Sequence, residues 1–527
     1  MESTEILVPA LLVAVAALSA FAGWLQIPYP ILLVLGGLVL GFIPGIPTVE
    51  LDPDLILFGV LPPLLYSAAF FADLRSLRYS ARALSLTAIG LVLLTTATVA
   101  MVAHAMIDEL SWAGAFALGA IVSPTDPIAA TTIMRRLGAP RRVVNAVEGE
   151  SLVNDASALV AYRVAVAAAV GGSFSLVDAT GEFVLAGVGG VAIGLAVGWV
   201  SAEVRRRLED PPVEMTVSLF SGYAAFLPAD ALGLSGVLAA VTAGIYVGWK
   251  SPMIVSPETR LKGVAFWEIL SFLLNAGLFV LIGLQLQPIL DDLSSESTLD
   301  AAGYALVISA IVIATRFLWL FTTPYAIRAL DRRPSQRERR VGARERVIMG
   351  WSGMRGAVSL AAALAIPLET DAGTPFPGRD LILLITFGVI LVTVVGQGLT
   401  LPALIRRLGV RDTGDEEREE VRARIDAAQA ALDRLEQLTD AEWVRPETLD
   451  RVARLYDYRR RRFAARTGEE LDDGFEERSV AYQRLMHDIY DAQRQTLLEL
   501  RNQGRISTDV MRRIERELDL EESRLEI

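Results

Sequence analysis

The chain has 527 residues, of which 53% are hydrophobic and 21% charged, with a mean hydropathy of +0.43 and a formal net charge of −12. Residues 408–527 hold 22 Arg and 30 Asp or Glu, while the first 407 alternate long apolar runs with short polar loops. This excludes a single soluble globule, a disordered chain and a fibrous repeat. The absence of cysteine, with His104 and His487 as the two histidines, excludes disulfides, thiolate metal sites and a histidine-rich metal centre, and the acidic balance excludes nucleic acid as a partner.

In chain order, thirteen stretches are long and apolar enough to be membrane spans, near 6–24, 30–45, 55–72, 83–106, 111–133, 144–170, 183–204, 213–229, 233–249, 264–286, 302–327, 347–368 and 380–405. The N-terminal Met-Glu-Ser-Thr-Glu lacks the basic region of a cleaved signal, so the first run is expected to remain as a span. Loop charge alternates strictly from the second span onward. Loops after even-numbered spans are acidic (Glu50, Asp52; Asp108, Glu109; Asp178, Glu182; Asp230; Asp291, Asp292, Glu296, Asp300; Glu369, Asp371) and contain one cation, Arg379. Loops after odd-numbered spans are basic, from Arg75, Arg78 and Arg82, through Arg135, Arg136, Arg141 and Arg142, then Arg205 to Arg207 and Lys250, Arg260 and Lys262, to the run Arg328–Arg346. The excess of Lys and Arg marks the cytoplasmic side, which puts the N-terminus outside.

The expected architecture is therefore an all-α polytopic membrane domain, residues 1–407, followed by a cytoplasmic, charged, helical domain, residues 408–527. In the latter, apolar residues recur at helical spacing between alternating Arg and Glu, the pattern of soluble amphipathic helices.

Ionisable groups at mid-membrane are costly and mark function by default. Removing loop and span-end residues leaves Asp126 within SPTDP, Glu150 and Asp155 within EGESLVNDAS, Arg316 within ATRFLW and Arg355 within GMRGAVSL. Glu214 and Glu268 lie near span ends and read as interfacial anchors, and Arg163 as a side chain reaching outward to water. On the sixth span Glu150 and Asn154 are four residues apart, as are Ser151 and Asp155, so one helix face carries two carboxylates, an amide and a hydroxyl. These are hard oxygen donors, suited to a small hard cation. Pro124 and Pro127 bracket Thr125 and Asp126, breaking the fifth span and freeing backbone carbonyls. Gly350, Gly353 and Gly356 surround Arg355 in the twelfth span, seven spans later. Interrupted helices in corresponding positions are the mark of an inverted-repeat transporter, and Asp126 and Arg355 can offset the half-helix dipoles. The alternative for the charges is a set of buried pairs locking the bundle, with Glu150 bonded to either arginine.

At SPTDP, EGESLVNDASA and GMRGAVSLAAALAIP, and at FWEILSFLLNAGLFVLIGLQL and ATRFLW, the chain resembles the monovalent cation:proton antiporter 1 family over about residues 1–407. The resemblance implies an inverted-repeat antiporter with crossed broken helices, a dimerisation part and a moving part, acting as a homodimer in the plasma membrane in sodium transport and pH homeostasis. It implies that Asp155 binds the cation or the proton, with Asn154 before it in the Asn-Asp pair of electroneutral members. Asp126, Ser151 and the Thr125 carbonyl would be the remaining sodium ligands. Glu150 would be a structural acid bonded to Arg316, and Arg355 the charge at the second break.

The function expected is secondary antiport of sodium, with lithium or potassium as further ions, against protons, with no cofactor and no enzymatic step. A buried carboxylate is costly as a bare anion, so Asp155 holds a proton or a cation but not both. The rival reading, an intramembrane aspartyl protease with Asp126 and Asp155 as its dyad, has no use for an Asn-Asp pair, a broken-helix arginine or thirteen spans. An open cation channel would use the same carboxylates to line a pore.

Overall fold

The computed structural model describes residues 2–25, 27–44, 52–171, 175–291, 298–330, 341–412, 414–467 and 475–526. The loop charges Glu50, Asp292, Glu296, Arg332, Arg333, Arg337, Arg339 and Arg340 lie outside them. Contacts divide the chain into two units, Met1–Arg411 and Asp412–Ile527.

The first unit runs α1 Glu2–Leu25, α2 Tyr29–Gly41, a π turn Leu55–Val60 into α3 Leu61–Phe70, α4 Leu74–Ser85, and a π turn Leu86–Leu91 into α5 Val92–Met106. It continues α6 Trp112–Val122, α7 Pro127–Arg136, α8 Arg141–Gly171, α9 Leu176–Arg205, α10 Pro211–Ala231, α11 Gly236–Ile254, α12 Pro257–Leu284, α13 Leu286–Asp291 and α14 Thr298–Leu330. The last helices are α15 Ala343–Trp351, α16 Ala357–Leu364, α17 Arg379–Leu391 and, after a π turn Val392–Gln397, α18 Gly398–Leu408. Each apolar stretch expected from the sequence falls on a helix or a helix pair. Among the described residues, eight helical runs are long and apolar enough to cross a membrane, and the helices at 9–25, 29–41 and 55–70 are shorter apolar ones. Starts are set locally: the hydroxyls of Ser111, Ser235 and Ser256 accept from the backbone N–H of Gly114, Leu238 and Thr259 at 3.1, 3.2 and 3.2 Å.

Two packed groups form. Helices α1–α3 and α9–α12 pack mainly on one another, and α4–α8 pack with α14–α18. Lipid tails provide little hydrophobic drive between helices, so close backbone approach carries the packing. Gly37 of α2 and Gly283 of α12 each sit against the other helix's backbone, where any added Cβ would collide with the carbonyl of Val280 or Val34.

Three charges differ from their sequence reading. Glu214 is not an interfacial anchor: it is fully buried on α10 and accepts a hydrogen bond from the Thr259 hydroxyl at 2.9 Å. Arg163 does not reach to water alone; it pairs with Asp230 and donates to the Leu234 carbonyl at 3.3 Å. Arg205, counted as a loop cation, is buried at the end of α9 with its guanidinium 5.8 Å from the centre of the Phe70 ring. Glu214 and Arg205 are covered by neighbouring helices, whereas Arg163 stays partly exposed beside Asp230.

The second unit is α19 Asp415–Gln437, α20 Pro446–Thr467, α21 Phe475–Asn502 and α22 Thr508–Glu526. Tyr490 and Leu497 of α21 pack with Met511 and Leu518 of α22. Along that seam Glu522 accepts from His487 at 2.7 Å and from Arg494, which also holds Asp519 at 2.8 Å. The Arg494 guanidinium, and then His487, hold the Glu522 carboxyl below the usual carboxylate range.

Candidate functional site

The prolines act as their chemistry requires. α6 stops at Val122, the chain is unwound through Ser123–Asp126, and α7 starts at Pro127. Asp126 is the N-cap of α7, its Oδ1 accepting from the Ile128 N–H at 2.9 Å. In the second half α15 stops at Trp351 and α16 starts at Ala357, leaving Ser352–Gly356 unwound.

The two breaks meet. The Asp126 N–H donates to the Met354 carbonyl at 2.7 Å, and Arg355 Nε donates to the Val122 carbonyl at 2.9 Å. Arg355 also donates through Nη1 to the Gly353 carbonyl, and its N–H reaches the Thr393 hydroxyl at 3.0 Å. The cation therefore faces the carbonyl end of α6 and the carboxylate the amide end of α7, each matching the partial charge there. Gly356 lets the breaks approach, since a Cβ there would overlap the Asp126 carboxylate.

The polar face of α8 divides into separate tasks. Glu150 forms a buried fork with Arg316, at 2.5 Å to Nη1 and 3.2 Å to Nη2, and Arg316 Nε donates to the Met349 carbonyl at 3.0 Å. Removing one partner of such a buried pair costs about 3–5 kcal/mol. Ser151 Oγ donates to the Thr125 carbonyl at 2.7 Å, and Asn154 Nδ2 to the Thr125 hydroxyl at 2.8 Å. Asn154 and Ser151 thus hold the unwound Thr125 from either side.

A cavity of about 830 Å³ reaches this point. Thr125, Asp126, Ser151 and Asp155 line it together, whereas Asn154, Glu150, Arg316 and Arg355 are buried behind. The Asn154 amide nitrogen is committed to Thr125, while its Oδ1 makes no hydrogen bond among the described residues. The cavity extends past Asn145 and Glu148 to Asp73, Arg135 and Arg141, at the ends of α4, α7 and α8 that adjoin basic loops. Its far wall carries Ser67, Glu268, Ser271 and Asn275; the sequence reading took Glu268 for an interfacial anchor and passed over the other three. The available signal was the spacing of Glu268, Ser271 and Asn275 at i, i+3 and i+7 in an otherwise apolar span.

Residues 10–407 match the family described as sodium/hydrogen exchanger, transmembrane. The chain is 36% identical over 526 residues to an uncharacterised Na(+)/H(+) exchanger of Mycobacterium tuberculosis, covering 99% of this chain and 96% of that one. It is 34% identical over 388 residues to a sodium, potassium, lithium and rubidium/H(+) antiporter of Bacillus subtilis, covering 72% of this chain and 58% of that one. The fold is similar to that of the sodium proton antiporter MjNhaP1 from Methanocaldococcus jannaschii, with a TM-score of 0.59 at 20% identity over 77% of this chain and 99% of that one. A family match over the whole helical first unit, on a chain with two facing helix breaks and a carboxylate-lined cavity, leaves no place for the protease reading: this protein belongs to the sodium/hydrogen exchanger family, and is a transporter that exchanges sodium for protons across a membrane rather than an enzyme.

Proposed function

We propose that Asp155 holds sodium and the proton in turn, that Asp126, Ser151 and the Thr125 carbonyl complete the sodium ligands, and that Asn154 keeps Thr125 in position. The observation that carries this reading is charge balance around the breaks. Glu150 is neutralised by Arg316, and the Arg355 side chain is turned to carbonyls at the end of α6, leaving Asp126 and Asp155 on the cavity with one fixed cation nearby. One monovalent cation, or one proton, restores neutrality. The Ser151 hydroxyl and the Thr125 carbonyl each use one hydrogen-bonding position in their mutual bond and keep lone pairs for a cation.

A neutral site can move between the two sides of the membrane at far lower cost than a charged one. Sodium and the proton therefore compete for one carboxylate, and exchange is obligatory, one for one and electroneutral. The proton gradient extrudes sodium, with alternating access supplied by motion of α4–α8 and α14–α18 against α1–α3 and α9–α12. Loop charge supports thirteen crossings of the plasma membrane with the N-terminus outside, the cavity open to the cytoplasm, and residues 408–527 cytoplasmic. The family resemblance supports a homodimer and a part in pH homeostasis, and the likeness to the Bacillus sodium, potassium, lithium and rubidium/H(+) antiporter supports lithium and potassium as further ions.

The test is sodium-, lithium- and potassium-driven proton movement in proteoliposomes, with and without a membrane potential imposed by potassium and valinomycin in the sodium and lithium experiments. Wild-type exchange with sodium should not follow the potential, and Asp155→Asn should be inactive. Exchange that persists in Asp155→Asn would overturn the site, and a rate that follows the potential would overturn the stoichiometry.

A further inference from the structure

The cavity has two walls of different origin. One is the site itself, on the breaks and α8; the other is α3 and α12, from the other packed group. On α12 the oxygen-bearing residues Glu268, Ser271 and Asn275 share one face and all line the cavity. At 1.5 Å per residue, Glu268 lies about 16 Å and Asn275 about 27 Å from the start of α12, and Asp155 about 21 Å from the start of α8. Both helices start from basic loops, so Glu268 is nearer the mouth than Asp155 and Asn275 lies deeper. Ser271 Oγ is 3.2 Å from Ser67 Oγ of α3, and Asn275 Nδ2 donates to the Ser271 carbonyl at 2.7 Å, which turns over its donor and keeps its acceptor oxygen for other contacts.

The other charged groups along this route are engaged. Glu148 pairs with Arg135 at 2.7 Å, and Asp73 caps α4 by accepting from the Arg75 N–H at 2.9 Å. Glu268 is exposed to the cavity, and among the described residues no ion pair involves it. A lone carboxylate inside a cleft with low-dielectric walls concentrates cations there, because the walls confine its field.

We propose that the α12 wall delivers the cation: Glu268 draws sodium into the cavity, and Ser271 and Ser67 present oxygens along its way to Asp155. Glu268 is a positioning residue for the exchange, and this role rests on the reading of Asp155 given above. It acts on entry from the cavity side alone.

The experiment is a sodium titration of exchange in everted and right-side-out membrane vesicles, for wild type, Glu268→Gln, Glu268→Asp and Asp155→Asn. In everted vesicles at low ionic strength, Glu268→Gln should raise the sodium KM at least threefold while the maximal rate stays within a factor of two. Adding N-methylglucamine chloride to about 0.3 M should bring the two KM values together, since it shortens the reach of an exposed charge to a few ångströms. Glu268→Asp should restore most of the wild-type KM, and in right-side-out vesicles Glu268→Gln should match wild type. A fall in maximal rate at unchanged KM, a KM shift equal on both sides, or one insensitive to salt would overturn the delivery role. Exchange by Asp155→Asn would instead overturn the underlying site, whatever Glu268→Gln does.

Discussion

At the first break the unwound residues keep free chemistry: Asp126 uses one carboxylate oxygen to cap α7, and Thr125 and Asp126 face the cavity. At the second break the charge is fully engaged. Arg355 is buried, bonded to Val122 and Gly353, and its backbone is held by Thr393. The same local device, a helix interrupted at mid-membrane, thus serves as a ligand platform in one half and as a fastener in the other. What separates them is whether the charged side chain faces the open cavity or the end of the opposite half-helix.

The comparison is most sharply broken by exchanging charge for amide on each side. Asp126→Asn should abolish exchange while the protein keeps its thermal stability, since the amide oxygen can still cap α7. Arg355→Lys should do the reverse in emphasis. Lysine keeps the charge but lacks the planar fork, so at least one of the Val122 and Gly353 carbonyls loses its donor, at about 1–3 kcal/mol for a buried unsatisfied group. Its melting temperature in detergent should fall clearly, with part of the exchange retained. Full stability of Arg355→Lys, or unfolding of Asp126→Asn, would remove the distinction.

Gly356→Ala tests the approach of the two breaks. The added methyl overlaps the Asp126 carboxylate, so the side chain has to shift, and the sodium KM should rise severalfold with the chain still folded. A wild-type KM would mean that Asp126 is not held by this contact. Ser151→Ala should have the smallest effect. It removes one hydrogen bond to Thr125, worth about 0.5–1.5 kcal/mol net, and so should weaken sodium binding by no more than roughly tenfold while leaving proton coupling intact. Loss of coupling would give Ser151 a larger part than a ligand.

Much of this was legible in the sequence because membranes make the signals strong. Apolar length located the helices, prolines 124 and 127 located the first break, and glycines around Arg355 located the second. The helical spacing of Glu150, Ser151, Asn154 and Asp155 put them on one face, but periodicity does not say which neighbour each member meets. Glu150 turns to Arg316 of α14 and Asn154 to Thr125 of the unwound segment, which is a tertiary fact. Glu214 and Arg205 were misread for a related reason. Near the end of an apolar run a charge has the sequence signature of a water-facing anchor, whether the adjoining helices leave it open, cover it, or frame a cavity beside it.

The most direct measurement of the central claim, that one carboxylate serves sodium and the proton in turn, is proton release from the purified protein in weakly buffered solution as sodium is added. The account predicts one proton released per chain at saturating sodium, and none from Asp155→Asn. Two protons per sodium bound, or an undiminished release from Asp155→Asn, would contradict it.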